Sequence, residues 1–327
     1  MKRVVALVLS LMAASLLTTS ASAQERIKFL LPGPPALPAF VQFQLAKSKG
    51  YFLKEGFDVE FIGAKGGVDV AKQVAVGNGD MGTALADTVI LVRPNGVPVK
   101  AVAQLGKGGL NQLIAREDSG IHSLKDLKGK RVGVGSFSQS SYYELLAVLG
   151  HLGIPKEQVD IQAAGPGGIA QMIVGGVIDA IVNPPEWALE FKAKGVPVRV
   201  LPIEELFPAM PQSLLASDDA IANRPKMVGA IVRGMLLALQ DVIDNPKQAA
   251  ADYVKAMPQY AGQEARFQEI LQLYIDDVYV ASKPGMMGAF DPKRFEAVQS
   301  FYLTNKVLEK GSPISELYTN AFVTPAK

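Results

Sequence analysis

The side chains of this chain that offer chemistry are short, polar and grouped behind apolar runs. Ser136, Ser138, Ser140 and Ser141, with Gln139 among them, follow the alternating Val132 and Val134 and precede the helix-periodic Leu145, Leu146, Val148 and Leu149. That order spells strand, Ser-rich loop, helix. Ser141 and Glu144 have the spacing of a capping box, in which hydroxyl and carboxylate satisfy first-turn amides while the remaining free N–H groups point into the loop. A helix N-terminus at the carboxyl end of a parallel strand is a ready pocket for a polar group or an anion. The competing reading is that the serines only cap the helix and shape the turn.

Five further loops follow apolar runs and join the Ser loop as candidate ligand contacts. They carry Pro35, Ala36 and Leu37; Gly66 and Gly67, beside Lys65; Asp87 and Thr88; Gly167; and Asn183, Glu186 and Trp187 around Pro184–Pro185. In α/β sheets such loops gather at the carboxyl ends of the strands, where ligands bind. With Ser136, Ser138, Gln139 and Ser140 they form the expected binding set. Each has a plainer alternative. The Gly pairs are turn geometry, Asp87 caps the next helix, Glu186 faces solvent, and the lone Trp187 packs in a core instead of stacking on a ligand.

Catalysis is poorly provided for. The chain has no Cys, which removes disulfides, thiolate nucleophiles and thiolate metal sites together. Its two histidines read as structural, His122 after a polar turn and His151 at a helix C-terminus, where an imidazole meets the last carbonyls. No HExxH, GxSxG, P-loop or helix-opening GxGxxG occurs. Pairs such as Glu204–Glu205 and Asp276–Asp277 read as solvated helix faces. No catalytic residue, metal or cofactor is expected, and the protein is expected not to be an enzyme.

The elements that must position these loops are legible in order. Residues 26–31 are a short strand ended by Pro32-Gly33-Pro34-Pro35, and Phe40, Val41, Phe43, Leu45 and Ala46 repeat at helical spacing up to Gly50. Residues 57–62, a helix over roughly 68–76 and a strand near 80–85 continue a βαβ rhythm. The segment 58–85 (DVEFIGAKGGVDVAKQVAVGNGDMGTAL) is echoed by 160–182 (DIQAAGPGGIAQMIVGGVIDAIV). Each runs strand, loop with a GG pair, short helix, Gly-x-x-Asp turn and buried strand. Two similar lobes follow, with chance likeness between βαβ units as the alternative. We expect residues 24–116 plus 213–327 in lobe 1 and 117–212 in lobe 2, the first crossover falling near Arg116. Beyond it, Asn223 with Pro225, Asn245-Pro246 and Asp291-Pro292 pair caps with first-turn prolines, so the last third reads as packed helices.

The chain opens MKRVVALVLSLMAASLLTTSASAQ, a basic start, a short apolar core and an A-x-A site. This is a secretory signal, residues 1–23, with cleavage expected after Ala23 and a periplasmic protein as the product. No other stretch approaches the ~20 apolar residues of a membrane span. Of 33 basic residues the signal takes two, leaving the rest in balance with the 31 acidic ones. A charge near zero gives no reason to expect nucleic acid as a partner.

With signal, repeat and hinge in place, the chain resembles the periplasmic solute-binding proteins of ABC importers in the nitrate, taurine and alkanesulfonate group, whose fold is shared with the thiamin-pyrimidine synthase family. The resemblance covers about residues 27–310 and rests on 46–59 (AKSKGYFLKEGFDV), 77–82 (GNGDMG), 118–134 (DSGIHSLKDLKGKRVGV) and 176–185 (GVIDAIVNPP). It implies an α/β, two-lobed type II binding fold, each lobe a mainly parallel sheet flanked by helices, with a helical C-terminal part. It further implies a monomer that closes on a small-molecule ligand and delivers it to an ABC permease in the inner membrane. The synthases it resembles carry a Cys-rich iron motif that this chain lacks, and service of a chemoreceptor is a further alternative. The polar Ser loop favours a small organic anion, a sulfonate or carboxylate. No Arg lies in the loops, so Lys65, Arg93 or Arg116 would have to supply the charge.

Overall fold

Two five-stranded sheets carry the molecule. The first is built from β1 (Glu25–Leu31), β2 (Phe57–Gly63), β3 (Met81–Leu85) and β4 (Val99–Gln104), joined much later in the chain by β10 (Gln212–Ser217). The second contains β5 (Gln112–Arg116), β6 (Arg131–Val134), β7 (Asp160–Ala163), β8 (Ala180–Asn183) and β9 (Val198–Pro202). The computed structural model describes residues 24–280 and 287–323, so the signal expected over residues 1–23 lies outside the described residues.

The strand orders, β2-β1-β3-β10-β4 and β7-β6-β8-β5-β9, correspond position for position. In each sheet one strand runs against the others. β10 is antiparallel to β3 and β4, and β5 is antiparallel to β8 and β9, while the remaining pairings are parallel. The reversed strand is the one that the chain enters on crossing from the other lobe. This is the mainly parallel, two-lobed α/β architecture that the sequence predicts. One boundary is corrected. Residues 112–116 were expected in lobe 1, yet they pair with β8 and β9, so the first crossing is 105–111 and not Arg116. An apolar strand reads alike in either sheet, and only its partners decide where it belongs. The return strand starts at Gln212.

The echoed segments occupy equivalent places, β2 through β3 in one lobe and β7 through β8 in the other. Their Gly-x-x-Asp turns close identically. Asp80 accepts from Lys28 N and Asp179 from Arg131 N, both at 2.8 Å. The backbone N–H of each Asp donates back to the same residue's carbonyl, again at 2.8 Å. Each carboxylate also holds a guanidinium, Arg224 on Asp80 and Arg131 on Asp179.

The capping-box expectation fails at one place. The helix Ser140–His151 begins two residues earlier than the box requires, Gln139 sits at its N-cap without a side-chain bond, and Ser141 lies inside the first turn. Glu144 therefore points inward and accepts from Asn111 Nδ2 at 2.7 Å. The capping box present in this region is Ser123 with Asp126, which opens the turn Leu124–Leu127.

The C-terminal helices follow their prolines: Pro225–Asp244, Pro246–Ala256 capped by Asn245, and Pro292–Thr304 capped by Asp291. The first buries Val228, Ile231, Val232, Met235 and Leu239 against the core of lobe 1, where Phe29, Phe43 and Phe61 also pack. The helix Glu264–Tyr274 runs into a π-turn, Ile275–Tyr279, whose Val278 carbonyl accepts from Lys107 N and Gly108 N in the first crossing. The helix Pro292–Thr304 lies across both lobes. Phe301 stacks on His151, and Arg294 donates to the carbonyls of Lys107 and Ala209, one in each crossing, while pairing with Glu204 at 3.0 Å.

Candidate functional site

Loops from the two lobes meet along a seam. Val68 N donates to Ser138 O at 2.9 Å, Ser136 Oγ donates to Lys65 O at 2.5 Å, and the Thr88 and Ser140 hydroxyls lie 2.9 Å apart. Gly66 is required here. Its φ is +144°, and a Cβ would stand 2.7 Å from Ser138 O.

Behind the seam is a cavity of about 100 Å³ open to the centres of water molecules. Lobe 1 contributes Pro32, Leu37, Phe40, Gly67 and Gln212; lobe 2 contributes Asn111, Gln139, Ser140, Pro166, Asn183, Glu186 and Trp187. Glu186, 2% exposed, accepts from Tyr274 Oη at 2.9 Å. Burial raises its pKa to about 7, against the lowering effect of that hydrogen bond. Gln212 Oε1 accepts from Gln42 Nε2 at 2.8 Å, and Gln42 Oε1 accepts from Tyr279 Oη at 3.2 Å. Trp187 packs with its ring centroid 5.8 Å from that of Phe191 and lines the cavity. Among the described residues no Lys or Arg lines the cavity. Arg93 is bound to Asp218 and Glu316, and Arg116 to Asp118, so neither takes the place the sequence reading offered it.

A protein-family comparison decides the kinship, since the family described as NMT1/THI5 like matches residues 38–249. The chain belongs to the NMT1/THI5-like family. Among curated relatives, the riboflavin-binding protein RibY of Chloroflexus aurantiacus is 27% identical over 293 residues, 87% of this chain and 82% of that protein. The 4-amino-5-hydroxymethyl-2-methylpyrimidine phosphate synthase of Uromyces fabae is 28% identical, over 69% of this chain and 68% of the synthase. Among solved structures, the alkanesulfonate-binding protein SsuA of Xanthomonas axonopodis, bound to MOPS, matches with a TM-score of 0.70 at 17% identity, covering 91% of this chain and 98% of that one. The last likeness concerns the fold.

Of the candidate contacts of this NMT1/THI5-like chain, Leu37, Gly67, Gln139, Ser140, Asn183, Glu186 and Trp187 line the cavity. Ser136, Ser138 and Gly66 build the seam that covers it. Pro35 and Ala36 turn their carbonyls to Gln44 and to Tyr253 and Tyr260. Thr88 reaches only Ser140, and Gly167 lies off the lining, its neighbour Pro166 taking that place. Asp87 stands at the N-cap of Thr88–Val92 but makes no capping bond; it is fully buried and accepts from Tyr302 Oη at 2.5 Å. The histidines stand elsewhere, His122 against Arg199 and His151 against Phe301.

Sequence reasoning missed Phe40, Gln42, Asn111, Gln212 and Tyr274. A signal existed for two of them. Asn111-Gln112 and Pro211-Gln212 put a polar residue at the head of each reversed strand, where Gln112 faces Asn183 and Gln212 faces Leu85.

Proposed function

We propose that this protein is the extracytoplasmic binding component of an importer, and that it closes on a planar nitrogen heteroaromatic, neutral or cationic. The small organic anion expected from the sequence is set aside. One observation carries the choice: the cavity offers a buried carboxyl, the amides of Asn111, Asn183 and Gln212 and the Trp187 indole, with no basic side chain among the described residues. An anion placed there would lose its hydration beside a group able to carry like charge. A heteroaromatic ring stacks on the indole while its N–H and ring nitrogens meet carboxyl and amides. Resemblance to a riboflavin-binding protein along most of both chains supports the same ligand class. The relatives named as synthases make an enzyme of pyrimidine chemistry the second reading. Against it, among the described residues no His or Lys side chain stands in the cavity lining.

The test is a thermal-shift and calorimetric screen of the chain from Gln24 onward with riboflavin, 4-amino-5-hydroxymethyl-2-methylpyrimidine, taurine, an alkanesulfonate and nitrate. A ligand held only by the folded protein adds about 2.7 kcal/mol of stability at a hundred times its Kd. We expect that response from riboflavin or the aminopyrimidine. A response from the anions alone would overturn the ligand class, and conversion of the aminopyrimidine, read by mass spectrometry, would favour the enzyme.

A further inference from the structure

We propose that closing the two lobes takes up a proton at a carboxyl pair buried between them, Asp87 from lobe 1 and Glu144 from lobe 2, so that the closed state weakens as pH rises. The inference rests on the two-lobed fold and needs no assumption about the ligand.

Asp87 follows β3 of the first sheet, and Glu144 sits on the helix after β6 of the second. Both are fully buried. The Thr88–Ser140 contact, beside Asp87 and one helical turn before Glu144, joins the lobes at this point. Each carboxyl has one served oxygen and one without a partner. Asp87 Oδ2 accepts from Tyr302 Oη and Glu144 Oε2 from Asn111 Nδ2, whereas Asp87 Oδ1 and Glu144 Oε1 have none. Ser141 Oγ, on the same helix turn as Glu144, is also unpartnered.

No ion pair reaches either acid among the described residues. The titratable groups acting on the pair are Tyr302 on the helix Pro292–Thr304 and Glu204 on the second crossing, whose carboxylate is paired with Arg294; Tyr143, on the helix of Glu144, acts on Tyr302. Two ionised carboxylates in this setting would repel at low dielectric with no cation to offset them, and one proton removes the repulsion.

Burial raises Asp87 to about 6, opposed by Tyr302, by Ser140 across the lobe contact and by the local backbone N–H groups, and burial followed by the Asp87 charge lifts Glu144 well above the usual carboxylate range. Opening the lobes returns both groups to water and to ordinary values near 4. The closed state therefore binds more protons than the open one. Closure is fully favoured below the open-state values and is lost as pH rises through the raised ones, by up to about tenfold in the closed-to-open ratio per pH unit for each proton taken up.

The experiment is a distance measurement in the full chain without ligand. Because the sequence has no Cys, spin labels at Lys72→Cys and Lys156→Cys attach nowhere else. Both positions are exposed, Lys72 on the helix Gly67–Ala75 of lobe 1 and Lys156 in the turn before β7 of lobe 2, so opening lengthens their separation. Between pH 5 and pH 8 the short-distance population is expected to fall at least tenfold. In Glu144→Gln the fall is expected to be markedly smaller, because only one buried acid remains to take up a proton. Should that variant not fold, Asp87→Asn removes the same repulsion and carries the same expectation. A distribution unchanged with pH in the parent, or an equal shift in a folded variant, overturns the proposal.

Discussion

The two lobes place an acid at the same address and use it differently. Asp87 and Glu186 each stand where a helix begins after the third strand of their sheet, each is buried, and each accepts from a tyrosine of the C-terminal helices, Tyr302 and Tyr274. Glu186 faces the cavity. Asp87 is shut away at the contact between lobes, behind Ser140. The Asp80 and Asp179 latches, by contrast, match in both backbone bonds and differ only in where the guanidinium comes from. The repeated framework is thus held constant while loop length and neighbouring side chains decide which copy of a residue faces the cavity.

The sharpest break in this correspondence lies at the Gly pairs. Gly66→Ala puts a Cβ against Ser138 O in a strained backbone and is expected to weaken ligand affinity about a hundredfold or more, by calorimetry with the compound selected in the screen. Gly167→Ala, with open space around its Cβ and a helical backbone, is expected to leave affinity unchanged and to raise the unfolding midpoint slightly. Equal effects would end the distinction between a seam glycine and a helix glycine.

Next in size is the cavity acid. Glu186 has a folded-state pKa raised to about 7 above an unfolded value of about 4.5. Its stabilising contribution is therefore complete below the unfolded value and is lost as pH rises toward 7. Glu186→Gln is expected to flatten that decline, which amounts to about 2–3 kcal/mol at most, in denaturant melts from pH 4.5 to 8. The same variant is expected to weaken ligand binding at least tenfold. The latches come third. Asp80→Ala and Asp179→Ala each remove a partly buried acceptor from a backbone N–H and from a guanidinium, and each is expected to lower stability by about 1–2 kcal/mol. Costs differing by more than about 1 kcal/mol would show that the lobes are less alike than their bonds. Smallest is Ser136→Ala, one hydrogen bond across the seam, expected to weaken ligand affinity two- to tenfold with the unfolding midpoint of the empty protein unmoved.

Local signals account for what the sequence revealed. Alternation and helical periodicity marked the βαβ units, Gly and Asp punctuation marked the repeat, and Asn245, Asp291 and their prolines marked helix starts now seen within a residue. What stayed hidden depends on distant partners. Ser141 and Glu144 satisfied a local rule, but Asn111, 33 residues away, drew the carboxyl inward. Tyr274 and Tyr302 read as core positions because their rings are core; the hydroxyls serve acids 88 and 215 residues earlier, a pairing no periodicity encodes. The 111–116 run was placed in the wrong sheet for the same reason.

The place of β10 has a consequence for the order of assembly. The second sheet closes within residues 112–202, whereas the first has a gap between β3 and β4 until residues 212–217 arrive to fill it. The first sheet must therefore hold together non-local contacts spanning more than a hundred residues, which slows folding. Pulse-labelled hydrogen exchange is expected to protect β5, β6 and β8 before β4 and β10, so that the half of the cavity bearing Glu186 and Trp187 forms first and the other half is fitted against it.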